Sequence, residues 1–393
     1  MAINKTLPEP TFYAGKTQPG AGFHDPIHHA DAWEAVFPRA VSQSRISLQE
    51  SGEARHSTAS TSVKGPQLAG EIAIVTPVLN DWMSFSRLLE EIARRYGSNE
   101  PRFHILAVND GSQTGFTFNG LPETNATAIR SVEVVHLAVN LGHQRAIAVG
   151  LSVLAQRGDI ATVVVMDCDG EDRPEDIATL LAASLQNPGK AVLARRSERS
   201  ESTGFKIGYQ IYKWLFWLLT GRGIDFGNFS VLPIAAVRRL VRMPDLWNNL
   251  PAAIMRSRLG TVAVPLPRGR RYAGQSQMNL AGLVVHGLSA MSVFSEVIFV
   301  RVLLGAIAAS GLMLLLMLAV AAIRFLTDLA IPGWASTVFG DLAIMLAQML
   351  VVIVATTFVV LSSRSQRPMM PIIDAASFIV EREVILPQTV PSA

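Results

Sequence analysis

Two stretches near the C-terminus constrain this chain more than any other feature. Val302–Ile323 carries no charge, and Leu342–Leu361 has Gln348 as its one strongly polar side chain. About 20 apolar residues in helical form cross a bilayer, so two transmembrane helices are expected within 302–363. Arg301 precedes the first run, and Arg364 and Arg367 follow the second. The positive-inside bias then puts the large preceding region and a C-terminal tail, 364–393, in the cytoplasm, giving a multi-pass protein. Arg324, in the short connector, opposes that bias slightly.

Composition agrees. Hydrophobic residues make up 49% of the 393 positions, and the excess gathers after about residue 280. Net charge is only +3, which argues against a nucleic-acid partner. Cys168 is the single cysteine, so neither an internal disulfide nor a cysteine-based zinc site can form, and a reducing compartment is expected for the polar part. Residues 1–68 are rich in Pro, Gly, Ser and His without periodicity and are expected to form a disordered or loosely attached arm. That arm has no apolar core of the signal-peptide kind. His24, His28 and His29 cluster in it and are read as solvated.

From Glu71 onward the pattern alternates. Short apolar runs at Ile72–Val75, His104–Val108, Val132–Leu137, Thr162–Met166 and Ala191–Ala194 read as buried strands. Between them lie helical patterns: Phe85, Leu88, Leu89 and Ile92; Asn140 to Leu151; and Glu175–Leu185 after Pro174. Such alternation predicts an α/β domain with a mainly parallel sheet over 69–275. Ligands of such sheets bind beyond the carboxyl ends of the strands. Pro77, Asp110, Asn140 and Asp167 all fall at such ends. Ile207–Leu219 mixes Tyr209, Tyr212, Trp214, Phe216 and Trp217 with neighbouring lysines, which suits a headgroup region. Leu280–Val300 is apolar but holds His286 and Glu296, so an in-plane helix is preferred to a third span, and 276–301 is expected to be interfacial.

Three motifs carry chemistry. Met166-Asp167-Cys168-Asp169-Gly170-Glu171 delivers two carboxylates at i and i+2 straight after an apolar strand, where both can face one hard cation. Such an ion would neutralise charge developing on a diphosphate leaving group. Val108-Asn109-Asp110-Gly111-Ser112 places Asp110 where it can accept from a nucleobase N–H. In Asn140-Leu-Gly-His-Gln-Arg-Ala146, Gly142 permits close backbone approach and Arg145 can reach phosphate. Taken singly, each motif also reads as a turn or a helix cap.

Together, and with Val75-Thr-Pro-Val-Leu-Asn80-Asp81, these stretches resemble the inverting family-2 glycosyltransferases of the GT-A type. Residues Asp225-Phe226, Arg271-Tyr-Ala-Gly274-Gln-Ser276 and Ser292-Val-Phe-Ser295, followed by two spans, resemble the branch that glycosylates polyprenyl phosphates, which includes dolichol-phosphate mannose synthase and undecaprenyl-phosphate glucosyltransferases. The Gln-x-x-Arg-Trp hallmark of processive synthases is absent.

The resemblance implies an enzyme of the bacterial inner (plasma) membrane. It would transfer a hexose from a UDP- or GDP-sugar to polyprenyl phosphate, with Mg²⁺ or Mn²⁺. By position, Pro77, Asp81, Asp110, Arg145 and Asp167 would bind the nucleotide. Asp167, Asp169 and Glu171 would hold the metal. Asp169, Arg195 and Arg196 would serve catalysis, and Arg195, Arg271 and Ser276 would meet the acceptor phosphate. A homo-oligomer is compatible with the chain. Three positions depart from the family: Asn109 for the first Asp, Leu79 for an aromatic, and Gly170-Glu171 for Leu-Gln. A family-2 enzyme acting on another lipid or a polysaccharide is the competing enzyme reading, and a catalytically dead membrane scaffold is the non-enzymatic one.

Overall fold

The computed structural model describes residues 70–96, 102–117, 128–196, 203–223, 226–273, 280–327, 331 and 333–386. The expected N-terminal arm and its histidines, Asp225 and Ser276 lie outside these. So do the side chains of Arg196 and His286.

Eight strands form one sheet: β1 (Glu71–Val78), β2 (Phe103–Asn109), β3 (Ile129–Leu137), β4 (Ile160–Val165), β5 (Ala191–Arg196), β6 (Ser230–Pro233), β7 (Thr261–Leu266) and β8 (Ile379–Leu386). Their order is β7-β5-β6-β4-β1-β2-β3-β8. The central four, β4-β1-β2-β3, run parallel. β1, β2 and β4 are nearly continuous runs of buried apolar residues, as strands covered on both faces require, while β3 mixes buried Val132, Val134 and Val135 with half-exposed polar residues. The α/β, mainly parallel expectation holds here.

The helices of the domain are α1 (Trp82–Arg95), α2 (His143–Ala155), α3 (Ile177–Gln186), α4 (Thr203–Thr220), α5 (Ile234–Leu240) and α6 (Leu250–Arg256). The anticipated apolar face of α1 is the buried one: Phe85, Leu88, Leu89 and Ile92 pack on one side of the sheet. Helix α2 fills the other side with Ile147, Leu151 and Leu154. Chain order reverses between β1 and β4, since β2 and β3 build outward from β1 on one side while β4 lies on the other. The crevice at their carboxyl ends is therefore a topological switch point, where ligands of open α/β sheets bind.

Three strands are additional to those read from the sequence. β6 inserts antiparallel between β4 and β5, so β5 does not neighbour β4. β7 lines the edge beside β5. β8 is the larger departure. The segment expected as a tail over 364–393 does not remain a tail: it turns through α10 (Pro371–Asp374) and a 3-10 turn at Ala375–Phe378, then pairs antiparallel with β3. Its charged, exposed Glu381-Arg382-Glu383 hides the strand pattern from a hydrophobicity reading, but charge is what an edge strand carries.

Before α10 come α7 (Leu280–Ser292), α8 (Ser295–Leu326) and α9 (Trp334–Ser365). Helices α8 and α9 are long and apolar enough to cross a membrane, and they pack against each other. Leucines on all their faces stay exposed, among them Leu304, Leu315, Leu318, Leu350 and Leu361, a surface that calls for an apolar surrounding. The stretch expected as one in-plane helix, Leu280–Val300, is broken at Val293–Phe294. Its last residues, including Glu296, begin α8. Glu296 there meets Arg256 at 3.1 Å, so the charge that counted against a span is paired at the helix start. Helix α4 keeps Phe216 buried against Phe294 and Met291 while Trp214 and Trp217 face outward.

Candidate active site

The parallel strands aim their last residues into the switch-point crevice. Three loops meet there, one after each of β1, β2 and β4, and a fourth loop follows β7 from the edge.

The β1 and β2 loops are laced together by short polar side chains. Asn80, in left-handed conformation, donates its backbone N–H to Ser112 Oγ at 2.8 Å and accepts from the Gln113 N–H at 2.8 Å. Asn109 Oδ1 accepts from the Ser112 N–H at 2.9 Å, and Asn109 Nδ2 lies 3.0 Å from His136 Nδ1. An amide can accept and donate at once, which a carboxylate cannot. That gives a physical reason for asparagine where the family has aspartate.

Asp110 is buried, and its oxygens accept from the backbone N–H groups of Leu141 at 2.7 Å and Gly142 at 2.9 Å. It thereby holds the loop that opens α2. Burial pushes its carboxyl up; the two amides and Arg145 pull the other way. Each oxygen keeps lone-pair capacity for a further donor. Arg145, one turn into α2, is exposed and lies over the Trp247 ring, 5.8 Å from its centroid.

The acidic motif follows β4. Asp167 donates its backbone N–H to Asp172 Oδ2 at 3.0 Å. Asp169 Oδ1 accepts from the Glu171 N–H at 2.9 Å, closing a tight turn on the motif itself. Asp169 is pushed up to about 6, first by burial and then by the Asp167 charge. Cys168 points inward toward the Pro77 carbonyl, 3.6 Å across the seam between β1 and β4, and burial pushes its thiol up. It is a packing residue, not a nucleophile.

A basic strap, Arg268 to Tyr272, covers this motif. The Gly269 N–H donates to the Glu171 carbonyl at 2.9 Å and the Tyr272 N–H to the Asp169 carbonyl at 2.8 Å. Gly170 sits at φ +91°, and a Cβ there would meet the Arg270 carbonyl at 2.8 Å and the Tyr272 ring at 2.9 Å. Glycine is therefore required for the two loops to touch. Arg268 pairs with Glu171. Arg271 sets Nη1 2.7 Å from Asp169 Oδ2 and reaches toward Asp81 Oδ2 at 3.5 Å, so it spans the crevice from the β4 loop to the β1 loop. Asp81, at the start of α1, makes no cap bond with its own helix.

Pro77, Asp81, Asp167, Asp169, Glu171 and Arg271 are thus brought to one place, with Asp110 and Arg145 along the neighbouring loop. Arg195, the last residue but one of β5, is exposed, opposite Pro265 of β7. Sequence reasoning missed the strap residues Arg268 and Tyr272, together with Asp172 and Trp247. The run Arg268-Gly-Arg-Arg271 after an apolar strand was the available signal for the strap. Trp247 had none. Among the described residues no three acidic, His or Cys side chains already converge on one point, and in this geometry Arg271 pairs with Asp169 and Arg268 with Glu171. Asp167 and Asp169 remain a fitting pair for a hard divalent cation, because their mutual repulsion falls when an ion arrives and a diphosphate supplies further oxygens.

The family model described as "Glycosyl transferase family 2" matches residues 73–248, which includes all three strand-end loops. The chain carries a family-2 glycosyl transferase domain over these residues and is a glycosyltransferase. It is 24% identical to an uncharacterized glycosyltransferase, YkcC, of Bacillus subtilis, across 68% of this chain and 82% of that one. It is 22% identical to a dodecaprenyl-phosphate galacturonate synthase of Rhizobium johnstonii, across 49% of this chain and 58% of the relative. It is 24% identical to an undecaprenyl-phosphate 4-deoxy-4-formamido-L-arabinose transferase of Edwardsiella ictaluri, across 54% and 64%. The chain thus spans about three-fifths of the length of these last two. Their names agree with the resemblance to the polyprenyl-phosphate branch, and they set this glycosyltransferase beside it. The matched segment lies in the sheet and its flanking helices, and α8 and α9 follow it in the chain.

Proposed function

We propose that this glycosyltransferase moves a sugar from a nucleotide diphosphate donor to a polyprenyl phosphate, inverting the anomeric centre. The observation that carries this reading is Arg271, held across the switch-point crevice against Asp169 and Asp81. A guanidinium so placed sits where a divalent cation and two phosphate-bearing substrates must meet. It can exchange its carboxylate partners for phosphate oxygens.

Asp167 and Asp169 hold Mg²⁺ or Mn²⁺, and Glu171 anchors the strap. The bound ion supplies charge neutralisation of the departing nucleoside diphosphate. Pro77 and Asp81 line the nucleoside side. Asp110 shapes the Asn140–Gly142 loop, and Arg145 meets the donor's diphosphate. Arg195 and Arg271 meet the acceptor phosphate, and the family resemblance assigns Ser276 to the same phosphate and Arg196 to catalysis. A phosphate monoester has its second pKa near ~6, so the acceptor oxygen is already a nucleophile at neutral pH and no strong base is needed. The chain's task is alignment of that oxygen with the anomeric carbon and stabilisation of charge on the leaving group.

Helices α8 and α9 span the inner membrane, with the catalytic domain on the cytoplasmic side where Arg301, Arg364 and Arg367 lie. Trp214 and Trp217 of α4 rest at the headgroups, keeping the crevice near the plane of the lipid phosphate.

The test is incubation of the purified protein with undecaprenyl phosphate, Mn²⁺ and radiolabelled UDP- or GDP-hexoses, followed by lipid extraction. Label in the organic phase that mild acid releases marks a sugar–phosphate bond. An acid-stable labelled lipid, or label only in polymer, would overturn the acceptor assignment.

A further inference from the structure

We infer that Trp247 and Phe378 are positioning residues for Arg145, so that the C-terminal segment returning from α9 takes part in donor binding. The inference rests on the proposed role of Arg145 at the donor diphosphate.

Three observations meet at one point. Arg145 lies over the Trp247 ring at 5.8 Å. Trp247 also packs against Phe378, with ring centroids 5.4 Å apart at an interplanar angle of 36°. Phe378 also accepts, through its carbonyl, the Ala138 N–H at 2.9 Å, two residues before the Asn140–Gly142 loop that Asp110 grips. The indole thus touches both the guanidinium and a ring of the return segment.

That segment is well fixed. Met369, Ile372, Phe378 and Ile379 pack on the α2 core cluster. The Ile372 N–H donates to the Val241 carbonyl at 2.9 Å, and β8 follows as the edge of the sheet. Trp247 is 8% exposed, so its ring has little freedom. Arg145 is exposed and long, and a free arginine of that kind loses side-chain entropy when it grips a ligand. A ring beneath it restricts the guanidinium before the ligand arrives, which is preorganisation. The arrangement leaves the N–H edge of the guanidinium available to a diphosphate, because a cation–π contact uses only its face. It also explains why a segment beyond two membrane helices comes back to the far edge of the sheet.

The test is a double-mutant cycle on the full-length protein in detergent. UDP and GDP, each with Mn²⁺, are the probes, and affinity is read by calorimetry. Arg145→Gln should weaken the nucleotide that binds by roughly tenfold or more, as loss of a charge-assisted hydrogen bond does. Trp247→Leu should weaken it by roughly three- to fivefold, the size of one cation–π contact. The double variant should bind no worse than Arg145→Gln alone, because Trp247 acts through Arg145. Trp247→Phe, which keeps a ring and is the variant of choice if Trp247→Leu fails to fold, should restore most of the affinity. Phe378→Leu should show a smaller loss, again absent in the Arg145→Gln background. Independent, multiplying effects of Trp247 and Arg145 would overturn the inference while leaving the role of Arg145 intact. An Arg145→Gln variant with unchanged affinity would overturn that role, and the inference with it.

Discussion

The loop after β2 centres on a buried aspartate, Asp110, and the loop after β4 on a half-buried one, Asp169, and the two are stabilised in opposite ways. Asp110 is met by two backbone N–H groups of the facing loop. Its charge is spread over fixed dipoles that belong to the fold. Asp169 has one such donor, from its own turn, and otherwise relies on the Arg271 guanidinium while Asp167 repels it. Burial pushes both carboxyls up. In the first case the compensating donors are fixed amides of the backbone. In the second the carboxylate remains under-compensated, held by a side chain that can leave. One aspartate is architecture, and the other is poised for exchange with an incoming ion or phosphate. The same residue type, delivered by the same strand-to-loop geometry, takes two roles because of what its oxygens meet.

Substituting both aspartates by asparagine breaks the comparison most directly. Asp169→Asn keeps the shape and removes the charge. Transfer, assayed by label in extracted lipid, should fall roughly 10²–10³-fold, with the melting temperature unchanged or raised, because removing the charge also removes the repulsion from Asp167. Asp110 should answer in stability first. Asp110→Ala leaves the Leu141 N–H unpaired and the Gly142 N–H with Asn140 Oδ1 at 3.0 Å, and should cost about 1–3 kcal/mol in denaturant unfolding, the cost of one unsatisfied buried group. Asp110→Asn, which can still accept one of the two bonds, should cost about half of that. Equal stability losses at the two sites would show that the distinction is wrong.

The difference between the two aspartates was not legible in the sequence, although the place of both was. Apolar runs of β-branched residues located β1 to β5, and the motifs at their ends fell together because parallel strands share one carboxyl edge. What each carboxylate meets depends on residues far away in the chain: Leu141 for Asp110, Arg271 for Asp169. No local pattern encodes such a pairing. The same limit explains the strands that were missed. β8 is charged along its exposed length and pairs with β3 across more than 240 residues, as the His136–Glu383 contact illustrates. β6 is only four residues long. The break at Val293–Phe294 escaped notice for another reason. Apolar periodicity continues through it, and the turn is made by packing of Phe294 on Phe216 rather than by proline or glycine.

Two glycines sharpen the contrast at smaller amplitude. Gly142 in the Asp110-held loop has φ +89° but open space around the missing Cβ, whereas Gly170 combines φ +91° with contacts below 3 Å. Gly142→Ala should therefore cost only the backbone penalty, about 1–2 kcal/mol. Gly170→Ala should cost that and also push the strap off the acidic turn. Thermal melts should register the first cost alone at Gly142. At Gly170 a raised KM for the donor should accompany the melt, since the strap carries Arg271.

The smallest effect tests how the strap is anchored. Arg268 and Glu171 are both partly exposed and pair with each other, a type of contact worth about 0–1 kcal/mol. Arg268→Gln should leave the melting temperature within a degree or two and raise the donor KM by no more than about fivefold, with kcat nearly constant. Glu171→Gln should match it in size. If Glu171 were instead a metal ligand, its loss would far exceed that of Arg268→Gln and would depend on Mn²⁺ concentration. The charge-reversed pair, Arg268→Glu with Glu171→Arg, separates these two roles. An anchor tolerates reversal, so transfer should recover toward the level of the single neutral variants. A metal site would not tolerate a guanidinium fixed beside Asp169, and activity would stay lost at any Mn²⁺ concentration. Recovery would leave the ion to Asp167 and Asp169 and make the acid at 171, where this chain departs from its family, a means of holding Arg271 in place.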